Sequence, residues 1–68
     1  MTDLETALLA AHDAGDHRSL VGLYVRAAEE ADGPAIPFFL TQAWIFALET
    51  GDARARPLET RLRDMGCA

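Results

Sequence analysis

His12-Asp13 and Asp16-His17 form the one short stretch of this chain dense in residues that bind metals or move protons. A structural zinc site needs about four such ligands converging on one point, and a catalytic site about three plus a water. The two histidines lie five positions apart with Gly15 between them, whereas neighbours on a helix face recur at three or four. The pattern therefore reads as solvated polar residues around a helical turn, with Asp13 and Asp16 serving turn and capping chemistry. Ser19 and Cys67 are the remaining nucleophile candidates, one expected on an exposed helix face and the other near the terminus. Neither comes with a recognisable base. The glycines are isolated rather than grouped into a phosphate-cradling loop. A chain of 68 residues also has little room for a water-excluding pocket of a few hundred Å³. No metal, cofactor or catalytic residue is expected.

The elements around these residues read as four short helices. Thr2-Asp3-Leu4-Glu5 has the capping-box pattern, and Leu4, Ala7, Leu8, Ala11 and Ala14 then recur at helical spacing. Gly15 suits the left-handed stop, and Asp16 is placed to cap a second helix. That helix has apolar positions at Leu20, Leu23, Tyr24, Ala27 and Ala31, widened by Val21, Val25 and Ala28. Arg18, Ser19, Gly22, Arg26, Glu29 and Glu30 take the opposite face. Gly33-Pro34 stops it. Pro37 is the expected first residue of a third helix, because its missing N–H is not needed there. Gly51-Asp52 repeats the earlier turn. Pro57 places the start of the fourth helix near Arg56, or makes residues 53–56 a separate turn. Leu58, Leu62 and Met65 form its apolar stripe, and Glu59 and Arg63 are spaced for an ion pair. The fold class expected is all-α, two antiparallel hairpins over about 2–32 and 36–66 within one domain (1–68). A plain four-helix bundle is the alternative.

Superposing the halves at an offset of 36 residues (40 − 4) matches Leu4, Ala7, Ala11, Gly15, Asp16 and Arg18 with Leu40, Ala43, Ala47, Gly51, Asp52 and Arg54. The matches keep both the apolar face of a helix and the turn that ends it. With Leu8, Leu20, Tyr24, Ala27 and Pro34, they give residues 2–34 spacings at or near the signature of a tetratricopeptide repeat, which the chain resembles. The second half departs from that pattern, with Trp44 where a small residue usually allows close helix approach, Ala43 in place of the larger neighbour and Pro57 in the returning helix. The resemblance implies a protein–protein interaction module without catalytic residues. Arrays of this kind bury a continuous core by stacking, so two units imply a missing neighbour, either a partner protein or a second copy.

The third helix is the anomaly. Only Thr41, Gln42 and Glu49 are polar among the twelve residues Phe38–Glu49. On a helical wheel Ile36, Leu40, Ala43, Trp44 and Ala47 make one stripe, with Phe39 and Phe46 on one flank and Leu48 on the other. Phe38 and Ile45 point almost directly away from it. A central helix accounts for the stripe and flanks but not for those two, and contiguous exposed apolar groups mark interfaces. Phe38, Phe39, Trp44, Ile45 and Phe46 are the expected protein interface.

Charge sharpens the class of partner. Net charge is −5, with −6 in residues 1–50 (2 − 8) and +1 in residues 51–68 (4 − 3). An acidic body disfavours phosphate backbones and anionic lipid surfaces, so no nucleic acid is expected. All six basic residues are arginine, a bias that fits a GC-rich coding sequence. Arg54 with Arg61, and Arg56 with Arg63, share faces of the last helix as a solvated surface or a contact to an acidic neighbour. No apolar run reaches the roughly 18 residues of a membrane span, so no insertion is expected. The acidic start differs from a basic signal sequence, which makes the cytoplasm the expected compartment. The function expected is a small adaptor or accessory subunit. The alternative is a regulator that sequesters a helical segment of a transcription or signalling factor.

Overall fold

The structure, a computed structural model, describes residues 3–67 and is all-helical: α1 (Asp3–Ala14), α2 (His17–Glu29), α3 (Ala35–Thr50) and α4 (Ala55–Asp64). The capping-box reading rests on Thr2, which lies outside the described residues. The helices pack in chain order, α1 on α2, α2 on α3 and α3 on α4, with α2 against α3 the most extensive contact. Among the described residues α1 does not reach α4, so the helices form an open row rather than a closed bundle. The result is a slab of 31 × 28 × 12 Å.

Small side chains set this packing. Leu40, Ala43 and Ala47 of α3 are fully buried. They join Val21 and Ala28 of α2 and Leu58 and Leu62 of α4 in one core cluster. Alanines at the contact allow close helix approach. Leu4 and Ala11 of α1 and Leu20 and Ala27 of α2 are also buried, outside that cluster. Leu4 and Leu40, and likewise Ala11 and Ala47, are equivalent across the offset, and all four are buried. No buried polar or charged residue interrupts the core among the described residues.

The turns explain the boundaries. Gly15 (φ 65°) and Gly51 (φ 66°) both take the left-handed conformation. The Asp16 N–H donates to the Ala11 carbonyl and the Asp52 N–H to the Ala47 carbonyl, each at 2.9 Å. This is the Schellman closure in both hairpins. Gly66 repeats it, with the Cys67 N–H on the Leu62 carbonyl at 2.8 Å. Helix α3 starts two residues before Pro37, and α4 two residues before Pro57. Both prolines are thus the third helical residue, still among the positions whose N–H has no intrahelical partner. The fourth helix accordingly begins at Ala55, after a turn in which the Ala55 N–H donates to the Asp52 carbonyl (3.0 Å).

Three sequence expectations change. Helix α2 ends at Glu29, so Ala31 lies beyond it; the Ala31 N–H reaches back only three residues, to the Ala28 carbonyl, in a tightened last turn. Met65 is the C-cap residue of α4, its backbone still helical and its N–H on the Arg61 carbonyl, and its side chain is exposed. Gly22 does not face open solvent: a Cβ there would sit 3.2 Å from the Arg54 guanidinium, which reaches across from the α3–α4 turn.

Candidate functional site

The five interface candidates separate into two environments. Phe38 is 58% exposed and Ile45 is 44% exposed, on the side of α3 opposite its buried Leu40, Ala43 and Ala47. Leu48, the expected flank, is exposed as well. Phe39, Trp44 and Phe46 are half-buried and pack against the core cluster. The Trp44 indole N–H is buried without an acceptor among the described residues, a cost that the packing of its ring must offset. The two threonine hydroxyls of α3 are satisfied locally. The Thr41 hydroxyl donates to the Pro37 carbonyl (2.7 Å) and the Thr50 hydroxyl to the Phe46 carbonyl (2.9 Å).

Tertiary packing adds residues that sequence reasoning set aside. Tyr24 of α2 stacks on Phe46 at 6.0 Å between ring centroids and 9° between planes, and on Phe39 at 6.2 Å. Phe39 meets Phe38 edge-on at 5.4 Å. His12 of α1 approaches both Tyr24 (5.8 Å) and Phe46 (5.9 Å), and His17 lies 4.9 Å from Phe46. A continuous strip of rings thus runs from α1 over α2 to α3. His12 Nε2 is 2.8 Å from the Tyr24 hydroxyl, which donates when Nε2 is unprotonated and accepts when it is not. His17 Nδ1 is 3.6 Å from the Glu49 carboxylate. The two histidines expected to stand apart therefore flank one phenyl ring. Among the described residues no group of three or more His, Cys, Asp or Glu side chains is arranged to hold a metal. The apolar placement of Tyr24 was the available sequence signal; the position of His12 beside Phe46 depends on how α1 and α3 lie relative to each other.

Two hollows lie beside α1. One, of about 330 Å³, is lined by Glu5, Leu8, Leu9, His12 and Tyr24, at the α1 end of the ring strip. Leu9 is 58% exposed there. The other is an open groove of about 710 Å³ whose lining includes Ala7, Ala10, Ala14, Arg18, Gly22 and Arg54. Helical spacing puts Leu8 and His12 on one flank of α1, and Ala7, Ala10 and Ala14 on the other. The ring strip and the alanine groove are thus opposite sides of the same helix pair.

Electrostatics concentrate at the turns. Asp16 accepts from the Ser19 hydroxyl (2.6 Å) and the Ser19 N–H (3.3 Å), and these bonds hold its carboxyl below the usual carboxylate range. Asp52 accepts from the Arg54 guanidinium at 2.9 and 2.7 Å and from the Arg54 N–H at 2.9 Å. Those bonds depress its carboxyl much further and raise Arg54 in return. Glu59 accepts from Arg63 at 2.8 Å, the pair their spacing predicts. No helix of the described residues is long and apolar enough to cross a membrane.

No family model, curated protein or solved structure matches this chain.

Proposed function

We propose that this chain is a small, non-catalytic protein–protein interaction module, an adaptor or accessory subunit of a larger assembly, built like two tetratricopeptide units. The observation that carries the reading is the ridge of Phe38 and Ile45, exposed on the side of α3 opposite its buried face. Large apolar groups left in water on a core helix of so small a domain are best accounted for by a partner that covers them. Equivalent burial of Leu4 with Leu40 and of Ala11 with Ala47, and the matching Schellman turns, support the repeat. The compartment proposed is the cytoplasm, where an acidic interaction module with one free cysteine meets its partner. Affinity capture with mass spectrometry, comparing wild type with Phe38→Ser/Ile45→Ser, tests the reading. Loss of one specific partner with helicity intact supports it. A stable wild-type monomer that recovers no partner overturns it.

A further inference from the structure

The outward face of α3 carries a spacing of its own. Phe38, Thr41, Ile45 and Leu48 recur at intervals of three, four and three residues, which is the seam of a coiled coil. Phe38, Ile45 and Leu48 are exposed and Thr41 is half-buried, while Leu40, Ala43 and Ala47 take the core side. Glu49 is the one charged residue of α3, and His17 Nδ1 of the same chain lies 3.6 Å from its carboxylate. The seam therefore holds no open charge that would select a charged partner. What fits it is a second apolar stripe of the same spacing. The other exposed large apolar side chains among the described residues, Leu9 on α1 and Met65 at the end of α4, stand singly.

We infer that the occupant is a second copy of this chain, the two α3 helices packing antiparallel about a two-fold axis level with Ala43. This rests on the interaction-module reading and deepens it by naming the partner. The four seam positions are symmetric about residue 43, so an antiparallel pair brings Phe38 against Leu48 of the second copy and Thr41 against its Ile45. Each contact is made twice, as a two-fold interface requires. The small threonine then always faces the larger isoleucine, whereas a parallel pair would set threonine on threonine. Glu49 favours the same direction. Antiparallel packing holds the two Glu49 residues about 18 Å apart along the helices at about 1.5 Å per residue. That exceeds the screening length of about 8 Å, and parallel packing would put them side by side. Helix α3 has 16 residues, a length of about 24 Å. So short a seam falls at the lower end of specific interfaces, and the dimer is weak and concentration-dependent.

The test is sedimentation equilibrium of the full chain from about 1 μM to about 1 mM. The mass is expected to rise toward twice that of the 7.4 kDa chain. Association should tighten severalfold from low to high salt, because the seam is apolar while two bodies at −5 each repel. Phe38→Ser/Ile45→Ser is expected to weaken it at least tenfold with helicity unchanged. Leu9→Ser, at a position as exposed as Phe38 but on α1, is expected to leave it unchanged. Direction is read by disulfide trapping in a Cys67→Ser background, with equimolar Thr41→Cys and Ile45→Cys copies mixed and oxidised. The mixed disulfide is expected as the main product, resolved by mass. Mainly self-paired disulfides, loss of association in high salt, or equal weakening by Leu9→Ser overturns the proposal. A monomer at about 1 mM overturns it as well. If capture then still recovers a different protein that depends on Phe38 and Ile45, the second copy is wrong and the module stands. If capture recovers nothing, both readings fall.

Discussion

The two Gly-Asp turns leave their helices in the same way and enter the next ones differently. Gly15 and Gly51 have φ values within a degree of each other, and both aspartate N–H groups close on a carbonyl five residues back. Beyond that point, Asp16 caps α2 at once through Ser19, and the helix begins at His17. Asp52 instead clamps Arg54, and α4 begins only at Ala55. Pro57 is the physical reason. A helix beginning directly after Asp52 would place that proline beyond the first turn, where a backbone donor is needed. The delay leaves α4 at 10 residues against 13 for α2, and puts Arg54 where it reaches back over Gly22. One proline thus goes with a second hairpin that starts its returning helix later and braces the first.

The largest expected contrast lies in the cores of the hairpins. Leu40→Ala, at a fully buried position in the cluster joining three helices, should cost about 2–5 kcal/mol. Leu4→Ala, at the edge helix that packs on α2 alone, should cost less, as read by urea denaturation. Equal losses would mean that α1 is as integral to the fold as α3. Next come the shared turns. Gly15→Ala and Gly51→Ala should each cost about 1–2 kcal/mol from the left-handed backbone alone, because nothing lies within 4 Å of either added methyl. A clear inequality would break the equivalence of the two exits.

The aspartates sharpen the entries. Asp16→Ala should lower the thermal midpoint by a few degrees through loss of the α2 cap. Asp52→Asn should matter chiefly through pH. Both carboxyls are depressed when folded, Asp16 by Ser19 and Asp52 more strongly by Arg54. Their contribution is complete above the unfolded aspartate value of about 3.9 and is lost as pH falls through the lower folded values. The stability gap between wild type and Asp52→Asn should therefore hold at pH 6 and close as the pH falls below about 3.9, in thermal melts across that range. The smallest effect is expected at Gly22→Ala. Relief of a mid-helix glycine should stabilise by about 0.5–1 kcal/mol, less whatever displacing the Asp52-bound Arg54 guanidinium from 3.2 Å requires. Net destabilisation would show that the Arg54 brace is rigid.

Much of the fold is legible in particular residues. Glycine–aspartate pairs mark helix exits, the Leu/Ala spacing marks the buried faces, and Phe38 and Ile45 fall opposite the core stripe of their helix because period alone places them there. The ends of α2 and α4 were less legible. Ala31 and Met65 continue an apolar pattern past the last helical residue, and hydrophobic period carries no information about the final hydrogen bond. Within the candidate surface, His12 and His17 looked like separate solvated groups because their sequence separation is wrong for one helix face. They flank Phe46 from two different helices, a relation that no single-helix pattern contains.

Local chemistry is what the sequence by itself determined: four helices, two turns of one kind, and a third helix with more apolar surface than one face can bury. The tertiary structure decided that these helices lie in an open row, which rings from α1, α2 and α3 form one strip, and that Arg54 covers Gly22. Turns and helix faces follow from interactions within a few residues. The strip and the brace depend on how helices sit beside one another, which is set by the summed packing of small side chains across all four.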